Sequence, residues 1–236
     1  MKKIILWGLI AGILGPLWGC SRSDKMTAIT TIDSEFENSL DDWTPFLANY
    51  PIDSDTALIS YRIASAPLPS PLDTNSYGLY LKSRNLGEGM TMLIKKRVGG
   101  LSPDTEYNLE VDLSLATNYY ESVDSLAKTA ARLVYIKAGV SSIEPDTIRQ
   151  SGYFRMNIPW NNPASETSMH KVIGDLNNKA VSGTYTLFQH SLTSGLNFTS
   201  DATGDAWLVL AIDSNFSGEA SLYLDRIVVK LRRSIE

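Results

Sequence analysis

The sequence predicts an all-β protein, a β-sandwich of two antiparallel sheets, and three observations predict it. Apolar residues recur at every second position along most of the chain. Glycine, proline, aspartate and asparagine gather between those runs. No helical alternation of the βαβ kind separates them, which argues against a parallel sheet and for stacked antiparallel layers.

The clearest strand is predicted over residues 105–115. Tyr107, Leu109, Val111, Leu113 and Leu115 share one face, and Glu106, Asn108, Glu110, Asp112 and Ser114 share the other. Such a segment buries one side and solvates the other. Comparable runs cover 57–64, 77–83, 90–98, 132–139, 152–158, 184–192, 206–213 and 222–231. Turn chemistry separates them at Gly99-Gly100, Ser102-Pro103-Asp104, Glu144-Pro145-Asp146, Ser182-Gly183 and 215–218. Only 122–131 reads as helix. Residues 157–179 read as a long polar loop, of the length that often carries function. Trp207 opens an apolar run and is expected in the core. Lys137 sits inside another apolar run, where Glu144 is its expected partner.

Before this domain the chain opens with Met1-Lys2-Lys3 and an apolar run from Ile4 to Leu17. That run is shorter than the ~20 residues a membrane span needs and fits a secretory signal. Leu17-Trp18-Gly19-Cys20 resembles the lipobox of bacterial lipoproteins, with Trp18 where a small residue is usual. The resemblance implies a signal peptide over 1–19, lipidation at Cys20 and a polar tether over 20–31. A single domain follows over 32–236. A lipid-anchored protein of the cell envelope, at the outer membrane, is the expected product; a signal-anchor helix with an incidental cysteine is the alternative. Cys20 is the only cysteine, so an intramolecular disulfide and a cysteine metal cluster are both excluded. The net charge of −5 argues against a nucleic-acid partner.

Three segments carry a resemblance of fold. Glu35-Phe36-Glu37-Asn38-Ser39-Leu40-Asp41-Asp42-Trp43 resembles the opening of galactose-binding-like jelly-rolls, a group that includes many carbohydrate-binding modules. Gly100-Leu101-Ser102-Pro103-Asp104-Thr105-Glu106-Tyr107 resembles their turn into a central strand, and Leu222 to Val229 resembles their closing strand. The resemblance implies a jelly-roll β-sandwich with Phe36 and Trp43 in the core. It also implies a Tyr107 hydroxyl that satisfies a nearby backbone group. In such folds the opening glutamate and the closing-strand aspartate share a structural calcium. Carried over, this nominates Glu37 and Asp225, with Asp33 or a main-chain carbonyl completing the oxygen shell, although Asn38 replaces the usual glycine. A second resemblance is to a group of lipoproteins from gut-type Bacteroidota, known by fold rather than activity. It rests on Asn85, Gly89-Met90, Lys95, Val134 to Gly139, Glu144-Pro145, Ile173-Gly174 and Trp207 to Ser214.

For function, the jelly-roll resemblance implies a glycan ligand, and sugar recognition needs aromatic platforms beside planar polar groups. Trp160-Asn161-Asn162 and Asn118-Tyr119-Tyr120 have that composition, so Trp160, Asn161, Asn162, Tyr119 and Tyr120 are the candidate ligand-binding residues. The alternative at each aromatic is a ring folded back onto the sandwich. No catalytic residue is predicted. His170 and His190 lack ligand spacing and read as isolated surface histidines, and no nucleophile-elbow motif is present. With 26 acids in the chain, a glycosidase pair cannot be read from composition. The expectation is a non-catalytic carbohydrate binder; an assembly protein docking to other envelope proteins is the competing class, and a glycan hydrolase the third.

Overall fold

The computed structural model describes residues 29–87, 89–121, 128–160 and 163–234. Cys20, the signal and most of the tether lie outside the described residues, as do Asn161 and Asn162. The chain runs through β1 (Ile29–Ser34), β2 (Thr44–Ala48), β3 (Tyr50–Pro51), a helical turn α1 (Thr56–Ile59), β4 (Arg62–Pro67), β5 (Tyr77–Asn85) and β6 (Met90–Val98). It continues through β7 (Glu106–Thr117), a second turn α2 (Ala130–Leu133), β8 (Val134–Ser141), β9 (Thr147–Gln150) and β10 (Tyr153–Met156). Last come β11 (His170–Asp175), β12 (Thr186–Leu192), β13 (Asn197–Thr199), β14 (Ala206–Ser214) and β15 (Gly218–Arg233). Among the described residues no helix is long and apolar enough to cross a membrane.

These strands form a β-sandwich. One sheet has seven strands, ordered β12-β7-β15-β5-β4, with β1 paired to the second half of β15 and β13 to β7. The facing sheet has five, ordered β11-β8-β14-β6-β2, and all pairings in both are antiparallel. Successive strands cross between the layers at β5–β6, β6–β7, β7–β8, β11–β12 and β14–β15, in the jelly-roll manner. The 16-residue β15 organises the larger sheet. It pairs with β5 early, with β1 late and with β7 from Tyr223 onward, and Asp225 forms a bulge against β7. Because β1 begins at Ile29, the sheet takes in three residues that the sequence assigned to the tether. A small third sheet, β3-β10-β9, lies outside the sandwich.

The inner faces interdigitate Leu79, Leu81, Leu109, Val111, Leu113, Leu115, Leu222 and Leu224 with Met92, Ile94, Val134, Ile136, Leu208, Leu210 and Ile212. Phe36 and Trp43 join this core, as the opening motif implies. The Tyr107 hydroxyl accepts from the Ser102 backbone N–H at 2.9 Å, which pins the turn before β7. Gly204 must be glycine: its φ is +77°, and a Cβ there would strike the Leu101 carbonyl oxygen that the same turn presents.

Four sequence expectations are revised. Over 57–64, Asp55 caps a helical turn by accepting from the Ala57 N–H at 2.9 Å, and the strand begins only at Arg62. The run over 132–139 likewise starts as the turn α2. The loop 157–179 contains the edge strand β11, unrecognised because neither of its faces is fully solvated and no alternation results. Trp207 is half-buried on the outer side of the five-stranded sheet, where its apolar neighbours in sequence, Leu208 and Leu210, take the core.

Candidate functional site

The outer face of the seven-stranded sheet carries a half-buried tyrosine cluster. Cross-strand register places Tyr80 of β5 opposite Tyr223 of β15, with Ala64 of β4 and Ala116 of β7 on either side. The two rings sit 4.8 Å apart at a 40° tilt, and Tyr185 meets Tyr223 edge-on at 5.8 Å. The three rings are half-buried, and Ala116 beside Tyr223 is fully buried. The Arg62 guanidinium lies 5.7 Å from the Tyr80 ring centre. One register step away, Lys82 pairs with Glu219 at 2.9 Å. Partial burial, together with the neighbouring tyrosines, raises the phenols of Tyr185 and Tyr223, so both keep their protons in neutral solution. Further along the same face a shallow hollow of about 340 Å³ is lined by Asp112, Ser114, Gln189, Arg226 and Val228. Aromatic rings, amide, hydroxyl and charged groups therefore follow one another along a single strand direction.

The outer face of the five-stranded sheet is different, because the described residues of 142–160 and 163–169 fold over it as a roof. Met156, Ile158 and Trp160 pack on Leu93, Val209 and Ala211 to make a second small core. Gly139 admits this roof, since a Cβ there would meet the Met169 carbonyl oxygen at 2.9 Å and the Trp160 ring at 3.0 Å. Beneath it Lys137 and Asp213, on neighbouring strands, form an ion pair at 3.1 Å with side chains 0% and 2% exposed. Thr91 donates to the other Asp213 oxygen at 2.8 Å, and Asn49 donates to Thr91 at 2.8 Å. Burial pushes the Asp213 carboxyl up, against the pull of the Lys137 charge and the Thr91 and Trp160 donors. The expected Lys137–Glu144 pair does not form. Glu144 instead meets Lys95 at 2.7 Å, and Lys95 also donates to the Pro145 carbonyl, clamping the start of the roof.

The sequence candidates are placed as follows. Trp160 is buried, its ring stacked on His170 at 4.3 Å, so its broad face is not an open platform. His170 is a buried member of β11 rather than a surface histidine; burial and the Lys137 charge push it down to about 4. His190 lies on β12 with Nε2 2.9 Å from the Asp175 carbonyl. Tyr119 borders the tyrosine face, its hydroxyl accepting from the Ser221 N–H at 3.1 Å, while Tyr120 is 44% exposed beyond it. Asn161 and Asn162 lie outside the described residues.

Glu37, Asp225 and Asp33 are not brought together. Asp33 is held by Arg226 at 2.8 Å, which keeps its carboxyl below the usual range. Asp225 accepts from Ser114 at 2.8 Å, and Glu37 from the Tyr77 N–H at 3.2 Å. Each acid is satisfied separately, and among the described residues no three His, Cys, Asp or Glu side chains are grouped to hold a metal. Tyr80 and Tyr223 went unnoticed in the sequence because each occupies an ordinary outward position of an alternating strand, and Tyr185 lies just before β12. Only the register between β5 and β15 makes them a cluster.

No protein-family model matches the chain, and no curated protein matches it. Solved structures do. One is Clostridium thermocellum xylanase 10B with its CBM22-1 and GH10 modules, complexed with xylohexaose; it is 11% identical at a TM-score of 0.40, over 86% of this chain and 28% of that one. Another is a Stig cyclase from Fischerella sp. TAU, 11% identical at a TM-score of 0.41, over 87% of this chain and all of that one. A third is the enzymatically active domain of bacteriophage CBA120 tailspike protein 4, 13% identical at a TM-score of 0.37. This chain covers 82% of its own length there and spans 20% of the tailspike chain. The named activities differ from one another, and a shared sandwich outline at such identity assigns none of them here.

Proposed function

We propose that this chain is a non-catalytic, lipid-anchored protein of the cell envelope that binds carbohydrate on the open face of its seven-stranded sheet. The observation that carries the reading is the Tyr80–Tyr223–Tyr185 cluster, three half-buried rings linked through Tyr223 on the outer side of the sheet. Phenol rings offer flat apolar surface to the C–H faces of pyranose rings and keep a hydroxyl for hydrogen bonding. Arg62, Lys82, Glu219 and Ser221 supply donors and acceptors for sugar hydroxyls around that platform. The hollow beside Ser114, Gln189 and Arg226 extends the face, and alternate residues along a strand repeat at about 7 Å, so several units of a linear glycan fit along it. The anchor at Cys20 comes from the lipobox-like segment and would hold the domain at the outer membrane.

A glycan array probed with the full chain in detergent tests this. Binding to one class of linear glycan is expected, weakened at least about tenfold by Tyr223→Ala and unchanged by Ile143→Ala, on an exposed residue of the roof. A blank array with folded protein, or binding indifferent to Tyr223→Ala, would remove the reading.

A further inference from the structure

We propose that a second site, a cavity of about 450 Å³ at the edge of the roofed sheet, binds a small hydroxylated carboxylate, a sugar acid by chemical class. It lies across the molecule from the tyrosine face and is independent of it. The volume falls within the range of small-ligand pockets. Its floor is the carboxylate of Asp213, whose charge Lys137 balances at 3.1 Å. Its wall carries the Arg155 guanidinium, laid over the Tyr153 ring at 4.0 Å. Among the described residues no carboxylate forms an ion pair with Arg155.

With Lys137 and Asp213 cancelling each other, Arg155 carries the remaining formal charge among the described lining residues, in a chain whose net charge is −5. A local positive site of this kind selects an anion. A planar guanidinium matches a carboxylate in two parallel hydrogen bonds.

Two further observations give the rest of the ligand. The indole N–H of Trp160, which lines the cavity, is buried and turned toward Asp213, and among the described residues it closes no well-aligned hydrogen bond. A buried donor left in that state is costly unless a partner comes from outside the chain. A ligand oxygen seated between Trp160 and Asp213 would accept from the indole, and as a hydroxyl it would donate to the carboxylate. Asn49, Gln150 and Asn215 add amides around the wall, while Met90, Met156 and Ile158 offer apolar surface for the C–H face of a ring. Amides that both donate and accept suit hydroxyls, so the chemistry is that of a carboxylate carried on a polyol ring.

Isothermal titration of the full chain in detergent with sodium D-glucuronate tests the assignment, with D-glucose as the neutral control. Glucuronate is expected to bind and glucose to bind at least about tenfold more weakly. Arg155→Gln should reduce glucuronate affinity at least about tenfold, and Trp160→Phe, which keeps the ring over His170 but removes the N–H, several-fold. Tyr223→Ala should leave it unchanged even though it disables the tyrosine face. Circular dichroism confirms that each variant is folded. Absence of heat with folded native protein, equal binding of glucose, or an Arg155→Gln variant that binds as the native does would each overturn the proposal.

Discussion

On the seven-stranded sheet, Lys82 and Glu219 meet at 2.9 Å with 27% and 37% of their side chains in solvent. On the five-stranded sheet, Lys137 and Asp213 meet at 3.1 Å with 0% and 2%. Both pairs occupy outward positions of adjacent antiparallel strands, so the local code for them is the same. What separates them is the packing of Met156, Ile158 and Trp160 over the outer face that holds Lys137 and Asp213. Water screens the first pair, which contributes little. The second has lost its hydration, and each charge depends on the other and on Thr91. The first pair is therefore loosely tied to its surroundings, whereas the second belongs to an interdependent network.

The largest expected effect is on the roofed pair. Asp213→Ala leaves Lys137 buried without its counter-charge and should cost about 3–5 kcal/mol in denaturant unfolding. The double change Lys137→Met with Asp213→Leu should recover most of that loss, and failure to recover would mean that the network matters through more than its charges.

Next is the pH dependence of the same face. His170 is held neutral, its pKa lowered from 6.5 to about 4, so in that window the unfolded chain binds the extra proton and stability falls as pH drops. That stability is fully present above about pH 6.5, and the part lost by pH 4 is on the order of 3 kcal/mol. Lys137, Glu166 and Lys171 act on the same ring and move the midpoint. Unfolding of His170→Gln across this range should show a flatter acid limb than the native protein; an unchanged limb would place the proton uptake elsewhere.

Smallest of all, Glu219→Ala on the open face should change unfolding free energy by less than about 1 kcal/mol. A cost rivalling that of Asp213→Ala would erase the contrast between the two faces.

The strands at 77–85, 90–98, 106–117 and 206–214 were legible because one of their faces is core, so apolar side chains recur with period two. The turn at Leu101 and the Tyr107 hydroxyl bond were legible from a short motif whose parts touch one another. The pairing of Lys137 was not. A lysine in an apolar strand signals a buried charge, but Glu144, seven residues on in sequence, is drawn off to Lys95, and the true partner arrives from a strand 76 residues away by β8–β14 register. The buried ring of Trp160 was equally out of reach, because its floor is Gly139 and His170 and not its own loop.

The sequence by itself determined the all-β class and most of the sandwich core, since both rest on periodicity or on residues adjacent in the chain. Only the tertiary structure decided which outward residues meet: three tyrosines on one sheet, and a lysine, an aspartate and a tryptophan under the roof of the other. Side chains on neighbouring strands stand about 5 Å apart however distant they are in sequence. Register and cover, neither of them written locally, therefore choose the residues that can act together.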